Sequence, residues 1–207
     1  MNAAPICGVV LAGGRASRMG GGDKALLEIG GEAILDRVLE RIAPYCIDIV
    51  LNANGDASRF AAFGLPVVAD SVPDFAGPLA GILAGMDWAQ AHHPEIEWIA
   101  SVPGDCPFLP YDLLPRLQET ALDAARPAAC AKSGGRLHPL AAVWRISLRG
   151  ELRRALGAGE RKVEQWAARH GAAYAEWPMK PFDPFLNVNS PEDLEAADEI
   201  AERDPEL

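Results

Sequence analysis

An α/β fold with a mostly parallel sheet covered by helices on both faces is predicted by three features of this sequence. Short apolar runs alternate with segments of helical period. Four of the runs, Ile6–Leu11, Asp48–Asn52, Pro66–Asp70 and Trp98–Val102, have strand length and read as strands buried on both faces. No repeat, linker or low-complexity stretch interrupts the alternation, so residues 1–207 read as one domain.

The elements follow in order. Ile6–Leu11 is the first strand and runs straight into a glycine-rich stretch. Ala25–Ile29 is a short extended piece ended by Gly30-Gly31. Ile34, Leu35, Val38, Leu39 and Ile42 then share one face of a helix that Pro44 ends. A short helix near 57–63 separates the second and third strands. Gly77-Pro-Leu-Ala-Gly81 opens a helix that runs toward Ala91, and a further helix spans about 111–125. Beyond Pro127, Ala128–Lys132 and Leu137–Trp144 form two strands around a Ser133-Gly-Gly135 turn. Leu148, Leu152 and Leu156 repeat every four residues along a helix. Another helix covers 162–169, and Ala173–Trp177 is a late strand. Ser190, Pro191 and Asp193 spell the N-cap, first position and capping-box acid of a last helix.

Composition narrows the class. Hydrophobic residues make up 49% of the chain, which excludes a disordered protein. No apolar run approaches the ~20 residues that span a membrane. The start lacks the basic region and cleavage site of a secretory signal. Cys7, Cys46, Cys106 and Cys130 are scattered without metal-ligand spacing, which fits a reducing, cytoplasmic setting. A formal net charge of −10 argues against a polynucleotide partner. A small anion held in one basic pocket remains compatible.

That pocket is legible at Leu11-Ala-Gly-Gly-Arg-Ala-Ser-Arg-Met-Gly-Gly-Gly-Asp-Lys24. Between Gly13 and Lys24 lie five glycines and three cations, opposed only by Asp23. Glycines let consecutive N–H groups converge on an anion, and Arg15, Arg18 and Lys24 add charged donors suited to phosphate. The spacing fits neither the Walker loop nor the dinucleotide fingerprint. In open parallel sheets ligands bind outside the carboxyl ends of the strands, and there the chain carries Asn52, Asp70 and Asp105. Singly, Asn52 also reads as a turn residue, Asp70 as a cap and Asp105 as an Asx turn. A lone acid after a buried strand is also well suited to Mg²⁺, which takes one or two carboxylates plus substrate phosphates.

The glycine stretch resembles the L-A-G-G-x-x-x-R-M-G-x-x-K signature of nucleotidyltransferases, and its doubled glycine resembles the molybdenum cofactor guanylyltransferases. Gly77-Pro-Leu-Ala-Gly81, Ala158-Gly-Glu-Arg-Lys162 and Asn187-Val-Asn-Ser-Pro-Glu192 are similar to the same family, so the resemblance runs from Ile6 to about Leu194. It departs at Ser190, where the family often has Thr, and at Gly104, where it often has Cys.

The resemblance implies a single Rossmann-like, three-layer domain, with about 1–125 binding nucleotide and about 126–207 binding the acceptor. It implies transfer of GMP from GTP to the terminal phosphate of a molybdopterin-type molybdenum cofactor. Leu11, Ala12, Gly13, Gly14, Arg15, Lys24, Asn52, Asp70 and Asp105 would bind GTP, with Asp105 also holding Mg²⁺. Lys24, Asp105 and Arg18 would carry the chemistry. Arg161, Lys162, Asn187 and Asn189 are the expected acceptor residues, within a segment from Arg149 to Lys162 of local charge +3 in the case of the two cations. Plain scaffolding before a capped helix is the other reading of Asn187 and Asn189, and a solvated helix face that of the arginines. His138 is read as structural. Proteins of cofactor synthesis or delivery are further candidate partners. The alternatives are a transferase using CTP or acting on a sugar phosphate or phospholactate, and a non-catalytic nucleotide-binding adaptor. Retention of Lys24 and Asp105 weighs against the adaptor.

Overall fold

The computed structural model describes residues 4–13, 22–72 and 77–204. The four apolar runs are strands β1 (Ile6–Leu11), β4 (Cys46–Asn52), β5 (Val67–Val68) and β6 (Trp98–Pro103). Two short strands, β2 (Glu28–Ile29) and β3 (Glu32–Ala33), pair with each other around Gly30-Gly31 as a separate two-stranded sheet. The later strands are β7 (Ala128–Ser133), β8 (Arg136–Arg145) and β9 (Ala173–Trp177). The main sheet has the order β5-β4-β1-β6-β8-β7-β9. Neighbours are parallel except at β8, which runs antiparallel to β6 and β7. The 133–135 turn joins a true hairpin, and β8 wedges itself between β6 and β7.

Among the described residues six α-helices cover the two faces: α1 (Ile34–Ile42), α2 (Pro78–His92), α3 (Leu113–Asp123), α4 (Arg149–Gly157), α5 (Val163–Arg169) and α6 (Pro191–Arg203). Alternate side chains of one strand enter opposite cores. Ile6 and Val10 of β1 join a core with α1, α3 and α6, whereas Cys7 and Val9 join one with α2, α4 and α5. Burial on both faces explains why the central strands read as unbroken apolar runs rather than alternating ones. Among the described residues, no helix is long and apolar enough to cross a membrane.

Helix α2 governs the site. It is buried all round from Leu79 to Met86. A Cβ on Gly85 would fall 2.3 Å from Val9 Cγ2, and one on Gly81 would fall 2.2 Å from Asn52 Oδ1. These two glycines, one turn apart, let the helix sit directly on β1 and β4.

Some elements are shorter than the sequence reading. β5 retains only Val67 and Val68, because it is an edge strand paired with the end of β4 alone. Ala25–Ile29 is not extended throughout: Lys24–Leu26 forms one 3-10 turn before β2.

Candidate nucleotide site

The stem of the glycine stretch is fixed by its neighbours before any ligand is considered. Ala12 N–H donates to the Asn52 carbonyl at 2.9 Å, and Gly104 N–H donates to the Leu11 carbonyl at 3.1 Å. A Cβ on Gly104 would lie 3.1 Å from the Leu11 carbonyl oxygen and 3.3 Å from Ala12 Cα. The departure from Cys at this position therefore keeps the crossing of the two strand ends tight. The carboxyl ends of β1, β4, β5 and β6 surround a cleft of about 320 Å³, walled by Leu11, Gly13, Asn52, Asp70, Pro103 and Asp105.

Two polar groups reach this cleft, one through Asn52 and Asp70 and the other through Asp105. In the first group Asn52, buried at the end of β4, donates from Nδ2 to the Val68 carbonyl (3.2 Å) and to Asp70 Oδ1 (3.1 Å). Asn54 donates to Asp70 Oδ2 at 2.9 Å and accepts the Asp70 N–H at 2.9 Å. Asn54 also lines the cleft. Sequence reasoning missed it, although Asn52-x-Asn54 after a strand was the signal that could have found it. Both carboxylate oxygens of Asp70 are thus held by amide donors, which fixes its orientation.

In the second group Lys24 Nζ lies 3.5 Å from Asp105 Oδ2 and also donates to Asn189 Oδ1, and Lys24 lines a small pocket next to the cleft that shares Leu11 and Asp105 with it. Asn187 Nδ2 donates to Asp105 Oδ1 at 3.1 Å. Val188 N–H donates to the Asp105 carbonyl at 2.9 Å, so the segment before α6 is pinned to the loop after β6. Burial pushes the neighbouring Cys106 thiol well above its usual range, leaving it a neutral packing group. Asp105 keeps a side-chain exposure of 20%, open to a ligand from the cleft.

The remaining candidates divide. Gly14, Arg15 and Arg18 lie outside the described residues. Arg161 and Lys162 line a second cleft, about 430 Å³, with Pro139, Val163 and Gln165. Pro78 and Leu140 belong to both clefts, which makes them adjoin. Asn187 and Asn189 lie with Asp105 and Lys24, and neither lines the second cleft. Arg149 and Arg153, two of the cations behind the +3 segment, both donate to Asp87 of α2, at 2.8 Å and 2.7 Å. Burial alone would raise the Asp87 carboxyl, but hydrogen bonds from Arg149, Ser71 and Arg153 outweigh it and hold the group below its ordinary value.

A family model described as the MobA-like NTP transferase domain matches residues 8–173. The chain belongs to the MobA-like NTP transferase family. The molybdenum cofactor guanylyltransferase of Rhodopseudomonas palustris (strain BisB5) is 57% identical to it over 197 residues, 95% of this chain and 94% of that protein. The protein of the same name from Nitrobacter hamburgensis is 51% identical over 201 residues, covering 97% and 96%. Among solved structures, molybdopterin-guanine dinucleotide biosynthesis protein A from Archaeoglobus fulgidus matches with a TM-score of 0.73 at 26% identity, covering 96% of this chain and all of that one. This MobA-like transferase is a nucleotidyltransferase, and its cleft lies where the fold's ligands bind, outside the carboxyl ends of the strands.

Proposed function

We propose that this transferase moves GMP from GTP to the terminal phosphate of a molybdopterin-type molybdenum cofactor and releases pyrophosphate. The observation that carries this reading is the cluster of Lys24, Asn187 and Asn189 around Asp105, which lines the strand-end cleft. Similarity over nearly the full length to guanylyltransferases supports the choice of GTP and of acceptor.

In this reading the base and ribose lie toward Asn52 and Asp70, and the phosphates follow the Leu11–Gly13 backbone toward Lys24. Gly14, Arg15 and Arg18 would complete the phosphate contacts. An acceptor phosphate oxygen attacks the α-phosphorus, the bond to the bridging oxygen breaks, and pyrophosphate leaves with that electron pair. The acceptor phosphate is already anionic at neutral pH, so no general base is needed. Rate enhancement comes from alignment and from charge neutralisation by Lys24.

A divalent cation fits the donor set. No group of three or more His, Cys, Asp or Glu gathers among the described residues, so they form no all-protein cage. Mg²⁺ needs none, since one or two carboxylates complete its shell with phosphates and water. Asp105, backed by Asn187, would hold it. Bound there, Mg²⁺ would supply further neutralisation of the triphosphate.

Arg161 and Lys162 are proposed to bind the acceptor, because their cleft adjoins the nucleotide cleft at Pro78 and Leu140. In this reading the transferase works in the cytoplasm and exchanges its product with cofactor-synthesis or delivery proteins. The test is product formation with purified protein, Mg²⁺, molybdopterin-type acceptor and each of GTP and CTP. Guanylylated product with GTP alone is expected. Equal or preferential use of CTP would overturn the assignment of the base.

A further inference from the structure

Ser133, His138 and Asp183 line neither cleft and form a chain of three polar side chains that the reaction as described does not use. Ser133, the last residue of β7, is fully buried, and His138, early in β8, is 8% exposed. His138 Nε2 lies 2.7 Å from Ser133 Oγ, and Ser133 Oγ donates to Asp183 Oδ1 at 2.8 Å. Since the hydroxyl proton points to Asp183, the oxygen faces His138 with a lone pair, and Nε2 carries the ring proton. Burial lowers the His138 pKa below its ordinary value, with Arg136 adding to the effect and Asp183 opposing it.

The order His–Ser–Asp is not that of a nucleophilic triad, because the hydroxyl donates to the carboxylate and not to the imidazole. What the chain does is set where the next segment starts. Asp183 Oδ1 also accepts the Phe185 N–H at 3.1 Å, and its carbonyl accepts the Leu186 N–H at 3.1 Å. The Phe185 ring stacks on His138 with centroids 4.5 Å apart and planes 17° from parallel. Val188 then bonds the Asp105 backbone, and Asn187 and Asn189 meet Asp105 and Lys24. Stacking sets the depth of Phe185 but tolerates sliding. The hydrogen bonds that Asp183 accepts from Ser133 Oγ and from the Phe185 N–H are directional and fix the departure of the segment.

We infer that His138 is a positioning residue for the transfer reaction, acting through Ser133 and Asp183 to hold the segment that presents Asn187 to Asp105 and Asn189 to Lys24. The inference rests on the reading of those four residues as the phosphate wall of the site. Outer partners that orient a reacting group typically matter by ~10- to 100-fold. An apolar pair at 133 and 138 would fill the same space but would leave Asp183 short of a donor.

The test uses the full chain with His138→Phe, which keeps a stacking ring without a donor, His138→Gln, which keeps a donor, Ser133→Ala and Asn187→Ala. The kcat is measured by pyrophosphate release per GTP-binding site, together with KM for GTP and the melting temperature. His138→Phe and Ser133→Ala are expected to lower kcat ~10-fold with KM for GTP nearly unchanged. His138→Gln is expected to recover most of the loss. The double variant of His138→Phe with Asn187→Ala is expected to lose less than the product of the two single losses, because part of the His138 effect passes through Asn187. Wild-type kcat in His138→Phe beside a slowed Asn187→Ala would overturn the inference and leave the site reading intact, as would fully multiplicative effects in the double variant. Wild-type kcat in Asn187→Ala would overturn the site reading itself. If His138→Phe does not fold, Ser133→Ala, which removes a single oxygen, takes its place in the cycle with the same expected and overturning results.

Discussion

Lys24 carries two site contacts at once, to Asp105 and to Asn189, from the first position of the 24–26 turn, with its side chain outside the core. Removing it leaves no core cavity but deletes a charged donor to the reacting phosphates. Lys24→Ala is expected to fold normally and to lose ~10²–10³ in kcat, by analogy with loss of one oxyanion donor. Activity within a few-fold of wild type would refute its role. Asp105→Asn keeps shape and some hydrogen bonding but drops the charge that would anchor a cation. Turnover and its response to Mg²⁺ titration are expected to fall together, and an unchanged Mg²⁺ response would reduce Asp105 to a turn residue. Gly81 matters for a steric reason. A methyl there would meet Asn52 Oδ1 at 2.2 Å and Leu11 Cδ2 at 2.8 Å, so Gly81→Ala must displace the residues beneath it. The expected outcome is ~1–3 kcal/mol of lost stability together with weaker GTP binding, read by denaturant melts and calorimetry.

Among the elements, α6 is tied to the site by its cap. Ser190 Oγ accepts the Asp193 N–H at 3.2 Å, and Asp193 Oδ2 accepts the N–H groups of both Ser190 and Asn189 at 2.9 Å. Ser190→Ala is expected to lose ~1 kcal/mol, lowering the melting temperature by about 2–4 °C. No change in melting temperature would mean that the cap carries no stability. This cap was fully legible in the sequence, because all its partners lie within four residues. So were β1, β4 and β6, whose burial on both faces leaves an unbroken apolar run. Long-range partnerships were not legible. Asn187 and Asp105 are joined across 82 positions, and nothing local marks either as the other's partner. Arg149 and Arg153 read as a basic patch because their partner, Asp87, belongs to α2, 62 and 66 positions earlier. His138 lacked a visible partner because Ser133 is an ordinary residue until the hairpin register brings them together. The insertion of β8 between β6 and β7 is likewise a matter of non-local pairing, and it carries Leu140 to the lip shared by both clefts.

Across the whole molecule, two cores sandwich one sheet, and the cysteines report on both. Cys7 and Cys130 are buried in one core and Cys106 in the other. Burial pushes Cys7 and Cys130 up to about 12 from an ordinary 9.0, so at pH 8 they are protonated as well as inaccessible. Native protein is expected to react with a thiol reagent at these three positions only as fast as it opens, and GTP should slow that opening further by linkage. Rapid labelling without denaturant would contradict the packing. The sign for stability follows from the raised values: the contribution is complete below about pH 9 and is lost as pH climbs toward 12. The central claim, transfer of the α-phosphoryl nucleotide unit from GTP to an acceptor phosphate at the strand-end cleft, is tested most directly by isotope tracing. With molybdopterin-type acceptor and Mg²⁺, label in the α-phosphate of GTP is expected to appear in the acceptor product and label in the γ-phosphate in pyrophosphate. Release of the γ-label as inorganic phosphate, with the α-label left on GDP, would contradict it.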